Sequence, residues 1–178
     1  MLRKIIVEGL DRLGKNLLID GIQDVRGYHQ VLHFTKPIPL KCYDGSLEEY
    51  QRQSFTNMFK QFKSEACLIA NRAHLGEYVY APMYRKYSAE YIFELEKLHL
   101  SGVNDLRLIL LTENFTLSNH FVDDGLSLGA PNKREAEQAL FIEAFNRSII
   151  PDKRMICVTA FDGQFKPPAE ILRVALAS

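Results

Sequence analysis

The sequence predicts an α/β fold in which a mainly parallel sheet of about five strands is flanked by helices. Two observations predict it. Short β-branched or apolar runs alternate with longer segments of helical period, and the runs are almost continuously hydrophobic, as in strands buried on both faces. The candidate strands are residues 2–7, 29–34, 67–70, 106–112 and 155–159. The length of 178 residues suits one core, so we expect a single domain over residues 1–178.

The helices between the strands are predicted from their start and stop signals. Ser46 and Glu49 form a capping box, and apolar residues then recur on one face as far as about residue 65. A helix is also expected directly after the first strand, from residue 16 onward. Further helices are expected over residues 88–100, 132–150 and 167–177.

A polar stretch over residues 114–130 separates the fourth strand from the helix that follows. It contains Asp123, Asp124 and two glycines. Such a composition between a strand and a strong helix is typical of a mobile lid, and a plain surface loop explains it equally well. The part from residue 117 to residue 129 has no Arg or Lys.

Charge and cysteine content exclude several classes of protein. The chain has 22 Lys and Arg against 22 Asp and Glu, whereas a protein that grips duplex nucleic acid over a broad surface carries a basic excess. Its three cysteines lack metal-ligand spacing, which disfavours a disulfide framework and structural zinc. Because no run of 18 apolar residues and no secretion signal is found, we expect a cytoplasmic protein without membrane contact.

The strongest chemical signal directly follows the first strand. Residues 9–16 have the spacing G-x-x-x-x-G-K of a phosphate-binding P-loop, between a buried strand and the start of a helix. At such a place backbone amides converge on one point and Lys15 adds a positive charge. A strand-turn-helix that carries these residues by chance is the alternative. The predicted nucleotide-binding residues are Gly9, Leu10, Asp11, Arg12, Leu13, Gly14, Lys15, Asn16 and Leu17.

The last position of the motif departs from the usual pattern. A P-loop normally has Ser or Thr after the lysine, and its hydroxyl binds Mg²⁺, but here the residue is Asn16. An amide oxygen can coordinate magnesium, although it is neutral and its side chain is longer. Asn16 is therefore a weak metal candidate, and we expect the change to affect catalytic rate more than nucleotide binding.

Three segments of the sequence resemble one family of enzymes. Residues 7–15, V-E-G-L-D-R-L-G-K, are similar to the E-G-x-D-x-x-G-K-[ST] opening of the thymidylate kinases and related deoxynucleoside and deoxynucleotide kinases. Residues 67–85 are similar to that family's D-R or E-R-S segment, particularly in virus-encoded members, and residues 163–172 add G-x-F-x-P-x-x-E-I-L. The resemblance spans most of the chain. It implies a three-layer P-loop NTPase fold, ATP and Mg²⁺ as cofactors and, for a viral protein, the host cytoplasm.

The resemblance also implies roles for individual residues. Lys15 and Arg12 would stabilise the migrating phosphoryl, with Arg12 favoured because the lid candidate supplies no cation. Arg72 would hold the acceptor phosphate or the transferred group. Asp11 would face the sugar hydroxyl, and Glu8 would lie near the acceptor and metal-bound waters. A carboxylate that caps loop amides is the alternative for Glu8, and a solvent-exposed side chain is the alternative for Arg12.

Further acceptor contacts are expected from cations and rings near these residues. A lysine after the second strand could hold a phosphate, and rings after Arg72 could stack on a base. Ordinary core packing is the alternative for the phenylalanines and the histidine. The predicted acceptor-binding residues are Glu8, Asp11, Lys36, Phe59, Arg72, His74, Tyr80 and Arg85.

The choice of acceptor is predicted from a second departure. Asn71 stands where the family has an acid, and an amide cannot act as a base. An ionised phosphomonoester needs no base, whereas a hydroxyl acceptor is helped by one. We therefore predict phosphoryl transfer from ATP to a deoxynucleoside monophosphate, thymidylate first (dTMP + ATP to dTDP + ADP).

Two other functions stay open at this stage, and so does the oligomeric state. One is a kinase of a nucleoside, or of a hydroxymethyl-pyrimidine hydroxyl in modified DNA. The other is a catalytically weakened nucleotide-binding module. A homodimer through the aromatic-rich helix at residues 46–65 is a further expectation, for which a core helix is the alternative.

Overall fold

The computed structural model describes residues 2–34, 45–116 and 133–177. In these segments five strands form one parallel sheet in the order β2-β3-β1-β4-β5. The strands are β1 (Lys4–Gly9), β2 (Gln30–His33), β3 (Leu68–Asn71), β4 (Leu106–Thr112) and β5 (Asp152–Cys157). The predicted α/β class with a parallel sheet of about five strands is confirmed.

Helices pack around this sheet in two groups. They are α1 (Lys15–Arg26), α2 (Leu47–Gln61), α3 (His74–Tyr80), α4 (Tyr91–Leu100), α5 (Arg134–Arg147) and α6 (Pro168–Leu176). The first and last helices contact one another, whereas α2 packs on α4 and α3 packs on α5. A π-helical turn, Ala81–Arg85, continues α3.

Burial along the strands follows from this layering. Every residue of β1, β3 and β4 is buried, whereas the outer strands β2 and β5 are partly exposed. Helices on both sides of a parallel sheet leave its central strands almost no contact with water, which is why their sequences are mainly apolar. This arrangement confirms the sequence argument for the central strands.

The topology places a crevice at the carboxyl end of β1. After β1 the chain continues to β2 at one edge of the sheet, and after β4 it continues to β5 at the opposite edge. In open α/β sheets, ligands bind in the crevice between two neighbouring strands whose connections run to opposite edges in this way. The P-loop sequence therefore lies at the place where the fold itself opens a site.

The capping box at the start of α2 is present as predicted. The Ser46 hydroxyl accepts a hydrogen bond from the Glu49 amide, and the Glu49 carboxylate accepts one from the Ser46 amide. The aromatic face of the helix, including Phe55 and Phe59, is buried within this chain. The core-helix alternative thus explains that face, and the homodimer stays a prediction that this face does not support.

Several elements differ from the prediction in their bounds, and part of the prediction lies outside the described residues. The fifth strand begins at Asp152 rather than residue 155, because it is an edge strand whose first residues are charged and pair with neighbours such as Arg107, at 2.8 Å from its Nε to the Asp152 Oδ2. Helix α3 and its π-helical turn were not predicted. Most of the proposed lid, residues 117–130, lies outside the described residues, and so does residue 132, the predicted start of α5.

Among the helices of residues 2–34, 45–116 and 133–177, none is long and apolar enough to cross a lipid bilayer.

Candidate active site

The turn after β1 has the backbone geometry of a phosphate-binding loop. Gly9 has φ 129°, and a Cβ there would lie 2.3 Å from the Leu111 carbonyl oxygen on β4. Gly14 has φ 79° and leads directly into α1. Both positions need glycine, the first because the backbones approach so closely and the second because of its left-handed conformation. The loop is therefore held between strand and helix, as the motif predicts.

Lys15 is bound by the loop itself. Its Nζ donates to the carbonyl oxygens of Gly9 at 2.9 Å and Leu10 at 2.5 Å, and the side chain is buried. Burial, and then the positive charge of Arg72, lower the pKa of the Lys15 ammonium to about 8. A phosphate in the loop would compete with these carbonyls for the ammonium and would favour its charged form.

Arg72 reaches the P-loop from the end of β3. Its guanidinium forms an ion pair with Asp11, and 40% of its side chain is exposed. Arg72 also has φ 65°, an unusual value for a residue with a side chain. The structure thus brings together Arg72 and Asp11 with Lys15, as predicted, although Asp11 contacts an arginine of the same chain.

Glu8 explains how the turn that carries Arg72 is held. Its Oε1 accepts hydrogen bonds from the backbone amides of Ala73 at 2.9 Å, Leu75 at 3.0 Å and Gly76 at 3.4 Å. The side chain is fully buried, and this burial raises the pKa of Glu8. The predicted contact of Glu8 with acceptor and metal-bound water is not what the structure shows, since its carboxylate caps loop amides. Glu8 is therefore a positioning residue, which holds the turn that carries Arg72.

The two amides that depart from the family pattern are bonded to one another. Asn71 Nδ2 donates to Asn16 Oδ1 at 2.7 Å and lies 3.4 Å from His33 Nδ1. The sequence places these residues 55 positions apart, and the parallel pairing of β3 with β1 brings Asn71 to the start of α1. The substituted positions therefore form one structural unit.

Mg²⁺ is the metal that a P-loop fold implies, and these residues do not fit it. The Asn16 oxygen already accepts a hydrogen bond, and the amide hydrogens of Asn71 stand where an acid would bind a cation or its waters. Asp11 is paired with Arg72. Glu8 accepts from backbone amides through Oε1, its Oε2 is buried without a hydrogen-bond partner within the described segments, and burial raises the pKa of this carboxyl, which disfavours the charged form that Mg²⁺ binds. No cluster of three or more His, Cys, Asp or Glu side chains that could hold a metal is found among the described residues.

Arg134 is a neighbour of the P-loop that the sequence argument missed. It begins α5, donates through Nη1 and Nη2 to the Asp11 carbonyl oxygen at 3.3 and 3.4 Å, and forms an ion pair with Glu113. The side chain is buried. In the sequence, Arg134 stands out only as part of the charged residues 133–135, which were interpreted as the start of a helix. Arg134 ties α5 to the loop that carries Asp11.

Phe59 and His74 do not reach the site. Both side chains are fully buried, and their rings meet edge to face with centroids 5.0 Å apart. The His74 Nε2 lies 2.8 Å from the Glu96 Oε1 on α4. A ring without exposed surface cannot stack on a substrate, so the core-packing alternative is correct for these two residues.

Arg85 is also used by the fold. Its guanidinium pairs with the buried carboxylate of Glu77, which additionally accepts hydrogen bonds from Tyr87, Tyr91 and Gln51. Only 15% of the Arg85 side chain is exposed. The prediction that Arg85 binds the acceptor is therefore not supported, because a buried carboxylate needs this cation.

The remaining predicted acceptor-binding residues are Tyr80 and Lys36. Tyr80 packs between Tyr84 and Phe141, and burial, followed by the nearby charge of Asp11, raises the pKa of its hydroxyl. It thus lies near Asp11, another of the predicted acceptor-binding residues, and its contact with an acceptor stays a prediction. Lys36 lies outside the described residues.

Two clefts flank the P-loop and share three of its residues, Arg12, Gly14 and Leu17. The first, of about 480 Å³, we call the β3 cleft; the second, of about 380 Å³, we call the α6 cleft. The β3 cleft is lined by Arg12, Gly14, Lys15, Asn16, Leu17, His33, Phe34, Asn71 and Arg72. The α6 cleft is lined by Arg12, Leu13, Gly14, Leu17, Leu18, Phe165, Lys166, Pro167, Pro168 and Ile171. One cleft is rich in cations and amides, and the other is mainly apolar.

Comparison with known proteins yields structural matches. No family model and no curated protein matches the sequence. Among solved structures, the YorR protein from Bacillus subtilis in complex with phosphorylated GDP superposes with a TM-score of 0.64 at 16% identity, covering 95% of this chain and 91% of that one. Thymidylate kinase from Ehrlichia chaffeensis superposes with a TM-score of 0.55 at 13% identity, covering 94% of this chain and 93% of that one.

The chain shares its fold with these two structures. The coverage is nearly complete in both directions, so the likeness extends over the whole sheet and its helices. At these identities it concerns the fold alone, and the chemistry has to be argued from the side chains in the two clefts.

Proposed function

We propose that this protein transfers a phosphoryl group from ATP to a nucleoside monophosphate. The observation that carries the proposal is the pair of clefts on either side of one P-loop, which share Arg12, Gly14 and Leu17. A module that binds one nucleotide needs one pocket, whereas a phosphotransferase needs donor and acceptor to meet over the phosphate-binding loop. Both cleft volumes fall in or near the range of small-molecule sites, about 300–1,000 Å³.

The α6 cleft suits the base of the donor nucleotide. Phe165 and Pro167 offer flat apolar surface beside the amino terminus of α1, and Phe165 is half-exposed. A purine stacked there would direct its phosphate chain along the loop amides towards Lys15. Lys15 would then leave the carbonyl oxygens of Gly9 and Leu10 for the phosphate oxygens.

The β3 cleft suits an acceptor that carries a phosphate. Arg12, Lys15 and Arg72 line it, and a guanidinium can hold phosphate oxygens in two parallel hydrogen bonds. His33 and Phe34 form its aromatic wall. Asn71 supplies no base, which favours an acceptor that is already ionised over a free hydroxyl. Three cations around the transferred group would stabilise its transition state.

Thymidylate is our first candidate for the acceptor. The sequence resemblance to thymidylate kinases favours it, and so does the likeness to a structure described as a thymidylate kinase. The YorR structure contains phosphorylated GDP, so guanine nucleotides belong in the same panel of substrates. A nucleoside or modified DNA is a less favoured acceptor, since Asn71 supplies no base at the position where the family has an acid, and three cations favour a charged acceptor.

The direct test is an acceptor screen. The protein is incubated with ATP and Mg²⁺ and, separately, with each deoxynucleoside and ribonucleoside monophosphate, thymidine, and duplex DNA containing hydroxymethyl-pyrimidines, and products are separated by chromatography. We expect a nucleoside diphosphate and ADP in equal amounts. Product from DNA or thymidine alone, or ADP formation no faster than with a Lys15→Met preparation, would refute the proposal.

A matched pair of variants tests the assignment of the two clefts. Phe165→Ala removes a ring from the α6 cleft, and Phe161→Ala removes one that is fully exposed and lines neither cleft. Loss of one stacked ring is worth about 1–3 kcal/mol, so we expect Phe165→Ala to raise the KM for ATP about tenfold with little change for the acceptor. Phe161→Ala should leave both KM values as they are.

A weakened nucleotide-binding module is the second candidate, favoured by the hydrogen bond between Asn16 and Asn71. The double variant Asn16→Ser with Asn71→Asp restores the family's residue types. If the parent binds nucleotide without turnover and the double variant transfers phosphate, this second function is the correct one.

A further inference from the structure

We infer that the P-loop takes the phosphate chain of its donor nucleotide as the free anion, with an affinity that Mg²⁺ does not increase. The inference rests on the proposed function, in which that chain runs from the α6 cleft along the loop amides to Lys15 in the β3 cleft. It starts from the Asn16 and Asn71 pair, where Asn71 Nδ2 and Asn16 Oδ1 are 2.7 Å apart.

The pair is neutral in either hydrogen-bonding arrangement that its neighbours allow. Asn71 Nδ2 lies near two acceptors, the Asn16 oxygen and, at 3.4 Å, the Nδ1 of His33, which accepts when the His33 proton is on Nε2. Turning both amides, with the His33 proton on Nδ1, gives the reverse arrangement. In both cases the pair carries amide hydrogens and no negative charge where a kinase of this fold would present an acid.

No Asp or Glu side chain is among the described residues that line the β3 cleft. Asp11 is paired with Arg72, and Glu113 with Arg134. Glu8 accepts from three backbone amides through Oε1, and its Oε2 is buried without a hydrogen-bond partner in the part of the chain that the structure describes, but the residue does not line the cleft. A Mg²⁺ ion prefers carboxylate and other oxygen ligands in an octahedral shell, and the described lining of the cleft offers it no carboxylate.

The phosphate charge is met in a different way. Arg12, Lys15 and Arg72 all line the cleft, and the loop amides at the start of α1 point to the same place. A site that has three cations, and no carboxylate to bind a metal ion among its described lining residues, favours the most negatively charged form of the nucleotide. Mg²⁺ bound to the phosphates lowers their charge, so it should leave the affinity unchanged or weaken it.

The test measures binding rather than turnover. ADP and a non-hydrolysable ATP analogue are titrated calorimetrically into the whole protein, once in excess Mg²⁺ and once in EDTA. For the parent we expect Kd values in Mg²⁺ that are equal to or weaker than those in EDTA, within about twofold to fivefold. A Kd that is about tenfold or more tighter in Mg²⁺ would overturn the inference, and so would the absence of binding in both buffers.

Variants show whether the amide pair is responsible. Asn16→Ser with Asn71→Asp should make nucleotide binding about tenfold tighter in Mg²⁺ than in EDTA. Asn146→Asp, on the exposed surface of α5, adds the same charge away from the cleft and should behave as the parent. If the double variant is unfolded by circular dichroism, the parent titration alone decides.

The outcome is separable from that of the proposed function. Metal-independent binding without phosphoryl transfer would uphold the inference and refute the kinase. Phosphoryl transfer together with binding that Mg²⁺ tightens about tenfold would uphold the kinase and refute the inference.

Discussion

Two groups of basic side chains in this molecule differ in what surrounds them. Arg12, Lys15 and Arg72 line the β3 cleft at the carboxyl end of the sheet. Arg85 and His74 follow Arg72 closely in sequence, yet they pair with the buried carboxylates Glu77 and Glu96. The difference teaches that a cation next to a motif becomes functional only if the fold does not need it to neutralise a buried acid.

The largest effect is expected at Lys15. Lys15→Met removes the ammonium that the loop holds, and with it the charge that would stabilise the transferred phosphoryl. We expect the turnover rate to fall about a thousandfold, the range found for loss of a preorganised electrostatic group. Lys97→Met, on the exposed face of α4, is the matched control and should retain full activity. Rates within about tenfold of the parent would place Lys15 outside the catalytic group.

The next effect concerns stability rather than activity. Arg85→Ala leaves the buried Glu77 carboxylate without its cation, and we expect a loss of about 3 kcal/mol in the free energy of unfolding, measured by urea denaturation. Arg3→Ala breaks the exposed pair with Glu65 and should cost less than about 1 kcal/mol. A stable Arg85→Ala protein with a strongly raised KM for the acceptor would move Arg85 into the functional group.

Arg72 should show the opposite behaviour. Arg72→Ala removes a partly exposed guanidinium, so we expect the rate to fall about a hundredfold while the midpoint of urea unfolding changes little. Rescue of activity by added guanidinium at low concentration would identify the missing charge as the cause. A large loss of stability with an unchanged rate would remove the contrast between Arg72 and Arg85.

The smallest effect is a pH dependence that belongs to Lys15. Its pKa of about 8 lies below its ordinary value of 10.5, so above pH 8 the ammonium loses its proton in the folded protein before it does so in the unfolded chain. The affinity for ADP should therefore fall, by up to about tenfold per pH unit, as the pH rises above 8. Calorimetric titrations from pH 7 to pH 9 measure it, and Lys15→Met should show no such step.

The same shift has a defined sign for stability. Between pH 8 and pH 10.5 the unfolded chain binds more protons at this site than the folded protein does. The contribution of Lys15 to the free energy of unfolding therefore rises with pH across that window. Above pH 10.5, the pKa of Lys15 in the unfolded chain, the amine is neutral in both states, so the burial of its charge no longer lowers the free energy of unfolding.

Local patterns were enough to predict much of the fold. The strand at Leu106–Thr112, the capping box of Ser46 and Glu49, and the P-loop spacing are all present as expected. Each depends on residues close together in the chain, where periodicity and hydrogen-bonding chemistry act directly. Glycine at position 14 belongs to the same class, because only the local backbone requires it, whereas Gly9 is also required by the close approach of Leu111 on β4.

Pairwise contacts between distant residues were not predictable in this way. The Glu8 carboxylate finds its amides at Ala73, Leu75 and Gly76, and Asn16 finds Asn71. Both contacts follow from β3 lying beside β1, with 4 residues of each strand in register. A sequence pattern lists the residue types but does not say which partner across the sheet each one meets.

By itself the sequence determined the class of fold, the position of the phosphate-binding loop and the residue types that surround it, since these follow from short-range periodicity and spacing. Only the tertiary structure decided which cations face a cleft and which neutralise a buried acid. The physical reason is that burial makes an unpaired charge costly, so a carboxylate inside the protein binds the nearest cation whatever motif that cation belongs to.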